Sequence, residues 1–455
     1  MAKPGRVSGF PEWLPEGQVV QQAVEDAARR VFRLHGFCGL ETRAVEPLDQ
    51  MLRKGEIDKE VYVLRRLHAQ ESEADSGLGL HFDLTVPFAR YVLENAGRLE
   101  FPFKRYQIQK VWRGERPQEG RFREFTQADV DVVGRDTLPF HFEVEMAVVM
   151  SELLASLPMV PAATIQVNNR KLAEGFYRGV GADDPDAVLR VIDKLDKIGV
   201  DATERLLVDE AGLTTTAARS CLALAAIRTP DASFAEQVAR LGVSNDLLDE
   251  GVRELAAVVE GANRERAGSV VADLRIARGL DYYTGTVYET LLAGHESVGS
   301  IASGGRYDSL ASDGRQTYPG VGISLGVTRL VSVLLGHGLV TVSRAVPTVV
   351  LVAVVDEESR PASTAVADRL RRRGIACEVM PTADKFGRQI RYADRRGIPY
   401  VWFPDAAGDT VKDIRSGDQI AADPEVWCPP AEDLDPRVER ALPTSDAPPR
   451  QEERS

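Results

Sequence analysis

An aromatic ring, an amide and two carboxylates recur at every second position in one stretch of the chain: Phe125, Gln127, Asp129 and Asp131. In a β-strand that spacing puts all four on one face. The preceding alternating run places Gln109, Val111 and Arg113 in the same phase, and the loop between the two runs brings four arginines within about a dozen residues: Arg113, Arg116, Arg121 and Arg123. Carboxylates hold an amine, guanidinium forks grip phosphate, and an aromatic ring offers a stacking surface. Together they form a constellation able to hold a zwitterion and a phosphate. A solvated sheet face would show the same alternation; the density of arginines in the loop favours phosphate.

Five further segments carry chemistry-bearing residues. Arg278-Gly-Leu-Asp-Tyr-Tyr-Thr-Gly285 sets a guanidinium, a carboxylate and the phenols of Tyr282 and Tyr283 side by side, and Ser303-Gly-Gly-Arg-Tyr-Asp308 follows with Gly304 and Gly305. Gly320-Val-Gly-Ile-Ser-Leu-Gly-Val-Thr-Arg329 reads as a strand whose glycines admit a close neighbour, feeding a helix with an arginine near its start. Phe82-Asp-Leu-Thr-Val-Pro87 adds Asp83 and Thr85. Near the C-terminus, Lys385, Arg388, Arg391 and Arg395 fall on one face of a helix turning about 100° per residue.

The elements that must position these residues follow from periodicity. Apolar residues at helical spacing run from Val20 to Leu34, and a strand from Gly39 runs into Glu46-Pro47. Phe82 to Tyr91 opens with the alternation of a strand, and Phe103 to Arg113 with Glu124 to Val133 make an antiparallel hairpin around a polar loop. From Leu172 to Asn263 glycine thins out, alternation disappears and helical spacing dominates, which suggests a helical insertion. Strand character returns at Ala267, and a helix is expected over Val327 to Leu335. After Arg344, strands at 346–355, 375–380 and 399–403 alternate with helices at 359–373 and 383–396, the pattern of a small α/β domain with a mostly parallel sheet. The expected boundaries are 1–171 and 264–343 for a split core, 172–263 for the insertion, 344–441 for the α/β domain and 442–455 for a disordered Pro-, Ser- and charge-rich tail.

The chain has 455 residues, enough for two or three domains. Its four cysteines, Cys38, Cys221, Cys377 and Cys428, are far apart, so no zinc knuckle or disulfide framework is indicated, in keeping with a reducing compartment. No apolar run is long enough to span a bilayer and no signal-peptide core follows the N-terminus, so a cytoplasmic protein is expected. The net charge of −13 speaks against uniform nucleic-acid binding. The basic stripe at 385–395 nevertheless supplies a local positive face.

Arg113-x-Glu115, the arginine loop and Arg121-Phe-Arg-Glu-Phe125 resemble motif 2 of class II aminoacyl-tRNA synthetases, and Gly320 to Arg329 resembles motif 3. Glu46-Pro47 is similar to the end of motif 1, whose proline lies at a dimer interface. Arg278 to Gly285 and Ser303 to Asp308 resemble the two motifs of histidyl-tRNA synthetases. The resemblance implies an α+β catalytic core, an antiparallel sheet flanked by helices, with a helical insertion and a C-terminal α/β anticodon-binding domain. It implies a homodimer that uses ATP with Mg²⁺, L-histidine and tRNA(His), with no membrane partner.

The resemblance also assigns roles. Arg113 would grip the α-phosphate of ATP, Glu115 read the adenine amino group, Phe125 stack on the adenine, and Arg121 and Arg329 meet the γ-phosphate. Arg278 would act beside the carboxylate and α-phosphate as the adenylate forms. Asp83 and Thr85 would hold the substrate's amino group, in an Asp-Leu-Thr-Val-Pro version closer to the eukaryote-like pattern than to the common bacterial one. Gln127, Asp129, Asp131, Tyr282 and Tyr283 would complete amino-group and imidazole contacts, with Gly304 and Gly305 leaving room for the ring. An imidazole presents two nitrogens, so recognising both needs a donor and an acceptor in fixed positions. Arg116 and Arg123 would approach the tRNA acceptor end, and Lys385, Arg388, Arg391 and Arg395 the anticodon side. The resemblance names no metal ligands. The competing expectation is the synthetase-like, non-catalytic histidine-binding regulatory subunit of ATP phosphoribosyltransferase, which usually lacks the third domain and has lost the ATP arginines. This chain retains Arg113, Arg121, Arg278 and Arg329.

Overall fold

The computed structural model describes residues 5–51, 60–67, 77–276, 283–312 and 314–441. Arg278, Tyr282 and the tail 442–455 lie outside the described residues. The chain divides into two compact units, Met1–Pro11 with Val24–Val333, and Glu12–Ala23 with Leu334–Ser455.

The first unit is organised by a nine-stranded sheet in the order Cys38–Gly39, Phe103–Trp112, Glu124–Val133, Gly320–Gly326, Ala302–Tyr307, Tyr283–Leu292, Ala163–Asn169, Val270–Asp273 and Arg228–Thr229. The first and the seventh of these pairings are parallel and the remaining neighbours antiparallel. The hairpin forms as the alternation dictates. Ala128, Val130 and Val132 are fully buried on one face of Glu124–Val133, while Phe125, Gln127, Asp129 and Asp131 occupy the other.

Phe82 to Tyr91 does not continue as a strand. A helix runs over Thr85–Asn95 and buries Val86, Phe88, Ala89 and Val92. An Asp83 carboxylate oxygen accepts the Val86 N–H at 3.1 Å, satisfying one of the helix's first donors, and Pro87 falls in the first turn, where no backbone N–H is needed. The expected strand from Gly39 divides into Cys38–Gly39 and Val45–Pro47, the latter pairing with Leu78–Leu80. Within it, fully buried Glu46 is ion-paired with Arg90 at 2.7 Å.

Between Arg170 and Glu265 the regular elements are helices apart from the short strand Arg228–Thr229. Asn169, Asp184, Thr214 and Asn245 each accept a backbone N–H at a helix start. Helices Arg170–Gly179 and Asp246–Glu265 approach so closely that a Cβ at Gly175 would meet Leu248 N at 2.5 Å, and one at Gly251 would meet Leu172 N at 2.2 Å.

The second unit carries a five-stranded sheet in the order Cys377–Val379, Val350–Val352, Tyr400–Phe403, Thr410–Asp413 and Gln419–Ala421. The first two pairings are parallel and the last two antiparallel, so the sheet is mixed rather than mostly parallel. The antiparallel half comes from short hairpin turns after Phe403, which leave no room for crossover helices. Val350, Val352, Leu370 and Trp402 form its buried centre.

Candidate active site

The hairpin register pairs Val111 with Phe125, Gln109 with Gln127 and Arg105 with Asp131. One step beyond the strand, Arg113 accepts that phase. Its guanidinium lies 4.3 Å from the Phe82 ring centroid and 5.1 Å from that of Phe125, and its Nε donates to the Phe82 carbonyl at 3.2 Å. The stacked fork is thereby oriented while still about a quarter exposed, 26%. The loop is folded back by its own charges. Arg121 reaches the Glu115 carboxylate at 3.3 Å, and Arg123 Nε donates to the Glu115 carbonyl at 3.2 Å. The Gly9 carbonyl accepts the Arg123 and Glu124 amides, and the Glu60 carbonyl accepts that of Gly114 at 2.7 Å. Burial, with the Glu115 charge adding, pushes the Glu60 carboxyl up. From the helix after Gly326, Arg329 Nε donates to the Gly120 carbonyl at 2.7 Å, and its Nη1 donates to the Ser300 carbonyl. The structure thus groups Arg113, Glu115, Arg121 and Phe125 at the hairpin end, with Arg329 against the turn of the same loop. Arg116 is exposed and Arg123 half-buried.

Farther down the same sheet face lies a small cavity with about 260 Å³ of empty space, its open side included, lined by Thr85, Asp129, Asp131, Tyr283, Ser303 and Ser324 together with Gly304, Gly305 and Gly322. Asp131 is held by Arg105 at 2.8 Å and by the Tyr307 hydroxyl at 2.9 Å. Asp129 stands 4.0 Å from the same arginine, and its Oδ1 is buried without a hydrogen-bond partner. Burial pushes the Asp129 carboxyl up to about 7; Arg105 and a hydrogen bond with Ser324 lower it, and the Asp131 and Asp83 charges raise it further. Burial likewise pushes Asp131 up, against Arg105 and the Tyr307 hydrogen bond. Gln127 Nε2 donates to Ser324 Oγ at 2.8 Å, and the buried Gln127 Oε1 has no partner. Unmatched buried oxygens are uncommon; of these two, that of Asp129 belongs to a residue lining the cavity, and Gln127 is tied to the cavity residue Ser324.

The glycines make room for protein. A Cβ at Gly304 would meet Gly322 O at 2.0 Å, one at Gly322 would meet Asp131 Oδ1 at 2.1 Å, and one at Gly305 would meet Thr286 O and the Tyr283 ring at 2.8 Å. They let three strands and Asp131 close around the cavity.

Several contributors carry no role in the sequence reading: Arg105, Tyr307, Ser324 and the buried Glu143. Glu143 takes Arg306 at 2.9 Å and the Thr286 amide at 3.2 Å, which anchors the strand bearing Tyr283 to the helix His141–Ala155. A signal for Arg105 existed, since it continues the phase of Gln109, Val111 and Arg113 along the first hairpin strand.

In the second unit, helix Phe386–Arg395 turns Gln389 inward, where it both donates to and accepts from the backbone of Val354. Lys385, Arg388, Arg391 and Arg395 are consequently exposed, with Arg388 on Asp384 at 3.2 Å.

The family model described as histidyl-tRNA synthetase matches residues 9–330, and one for an anticodon binding domain matches 348–407. The chain is 60% identical to the histidine–tRNA ligase of Cutibacterium acnes over 450 residues, 96% of this chain and 99% of that protein. The crystal structure of histidyl-tRNA synthetase from Nostoc sp. PCC 7120 superposes with a TM-score of 0.81 at 33% identity, covering 92% of this chain and 96% of that one. A Bacillus halodurans structure described as ATP phosphoribosyltransferase regulatory subunit/histidyl-tRNA synthetase gives 0.70 at 19% identity, over 85% and 96%. That last likeness concerns the fold alone. The match along nearly its whole length to a synthetase sequence, with both family models in order, establishes that this chain belongs to the histidyl-tRNA synthetase family.

Proposed function

We propose that the chain is a histidine–tRNA ligase, activating L-histidine with MgATP to histidyl-adenylate and transferring it to the 3′ end of tRNA(His). The observation that carries the reading is the juxtaposition on one hairpin of a stacked, partly exposed Arg113 with a cavity lined by buried carboxylates. One part suits a nucleotide's phosphate and base, the other an amino acid's cationic groups.

Arg113 grips the α-phosphate, Phe125 stacks the adenine, Glu115 reads its amino group, and Arg121 and Arg329 neutralise the γ-phosphate. Asp83, Thr85, Gln127, Asp129 and Asp131 hold the amino acid, with Tyr283 on the imidazole. Arg278 and Tyr282, outside the described residues, keep the electrophilic and imidazole roles that the family resemblance gives them. The histidine carboxylate attacks the α-phosphate and pyrophosphate leaves; the terminal ribose hydroxyl of the tRNA then attacks the adenylate. Positioning and charge stabilisation do most of this, and Mg²⁺ enters as part of the nucleotide. A site that hydrogen-bonds a polar side chain rejects analogues lacking it by roughly 10⁴–10⁵ without editing.

The remaining parts of the reading are a homodimer joined near Glu46-Pro47, the insertion 172–263 between core segments 1–171 and 264–343, and an anticodon-binding domain over 344–441. Arg116 and Arg123 meet the acceptor end, the stripe Lys385 to Arg395 meets the anticodon side, and the enzyme works in the cytoplasm. The test is histidine-dependent exchange of pyrophosphate into ATP. Exchange is expected, and Arg278→Ala should abolish it while the oligomeric state stays unchanged. Histidine binding without exchange would move the chain to the regulatory-subunit reading.

A further inference from the structure

Arg105 is fully buried and does not line the cavity. It lies behind it, under the two carboxylates that do. Its Nη2 is 2.8 Å from Asp131, 4.0 Å from Asp129 and 3.3 Å from the Leu84 carbonyl, and its guanidinium sits 4.3 Å from the Phe88 ring centroid. Leu84 and Phe88 flank the start of the helix that opens with Thr85, itself a cavity residue. Arg105 therefore ties the acidic strand to that helix.

A buried guanidinium persists only if its charge is compensated. Here Asp129 and Asp131 face one guanidinium, and the buried Asp83 carboxyl adds its repulsion to both, so negative charge is in excess when they ionise. The geometry divides them unequally. Asp131 is held by Arg105 and the Tyr307 hydroxyl, whereas Asp129 stands 4.0 Å from Arg105, has Ser324 as a hydrogen-bond partner, and keeps one buried oxygen, Oδ1, unmatched. We infer that Arg105 is a positioning residue for the amino-acid pocket: it pins Asp131 as an oriented acceptor and leaves Asp129 as the surplus anion that a cationic nitrogen of the substrate neutralises. The inference rests on the proposed function, since it presumes that an amino acid fills this cavity. Without Arg105 two carboxylates would face each other unbalanced, repel and collect protons, and the pocket would lose both its acceptor and its shape.

The experiment is steady-state pyrophosphate exchange with Arg105→Met, Arg105→Lys, Asp129→Asn and the double variant Arg105→Met/Asp129→Asn. Each single variant should raise KM for histidine by about tenfold or more, the scale of breaking one buried charged contact, with KM for ATP within about twofold. In the double variant the two effects should fall short of multiplying, because the surplus charge is already gone. A purely structural arginine would instead depress kcat and move both KM values together, and its effect would multiply with that of Asp129→Asn. Either result overturns the inference, as does a histidine KM within about twofold of wild type in Arg105→Lys. If Arg105→Met does not fold, Arg105→Lys, Asp129→Asn and their double variant decide by the same criterion: histidine-selective KM rises that fall short of multiplying support the proposal, and effects that multiply overturn it. A wild-type enzyme without histidine-dependent exchange would refute the functional reading itself, whereas an active wild type with indifferent variants refutes only the role of Arg105.

Discussion

The raised Asp129 carboxyl makes a quantitative claim about stability. Its ordinary value of 3.8 moves to about 7 in the folded chain, chiefly through burial. That is roughly three units, and at about 1.36 kcal/mol per unit the two protonation states differ by up to ~4 kcal/mol. The folded state holds the proton more tightly than the unfolded chain. Stability is therefore lost as pH rises from about 4 through about 7, and levels off above. Asparagine at the same position keeps the shape of the protonated carboxyl and has no such slope. Asp129→Asn should gain on the wild type by up to about 1.4 kcal/mol per pH unit inside that window, reaching a few kcal/mol by pH 8. A gain of that size raises the midpoint of the catalytic unit's transition by several degrees. Scanning calorimetry of the ligand-free wild type and variant at pH 5, 6, 7 and 8 measures it. A difference that stays constant across that range would refute the reasoning, because the carboxyl would then not change protonation between folded and unfolded chains.

Tyr307→Phe removes one of two partners of Asp131; stability should fall by about 1–2 kcal/mol, and histidine KM should rise more than ATP KM in pyrophosphate exchange. Gly322→Ala drives a methyl to within 2.1 Å of Asp131 Oδ1; overpacking of about 1–3 kcal/mol and weaker histidine binding by calorimetry are expected. Arg391→Glu with Arg395→Glu should leave histidine-dependent exchange untouched while raising KM for tRNA in aminoacylation and flattening its salt dependence.

Much of this site was legible because β-strands impose a period of two. Phe125, Gln127, Asp129 and Asp131 share a face in the structure as their spacing requires, and Val111 and Gln109 pair with them in phase. The helix at Thr85 was not legible from alternation, since it is decided by Asp83 taking the Val86 amide and by Phe88, Ala89 and Val92 finding a buried patch with Val133 and Tyr318. The patch is tertiary, and no local window contains it. The antiparallel half of the second sheet was missed for a similar reason: strand direction there depends on turns after Phe403, which periodicity does not report.

Arg105 shows why a pattern can be visible and still go unread. It lies in phase with the site, but an arginine in an alternating run reads as a solvent-facing residue. Only the register, which sets it opposite Asp131, turns it into a buried counter-charge. The glycines invert in the same way. Gly304 and Gly305 look in sequence like space left for a ligand, yet the volumes they free are filled by the Gly322 carbonyl, the Thr286 carbonyl and the Tyr283 ring. On the proposed function, selectivity comes from charge and hydrogen bonding, and the unmatched oxygens of Asp129 and of Gln127 are the acceptors proposed to provide it.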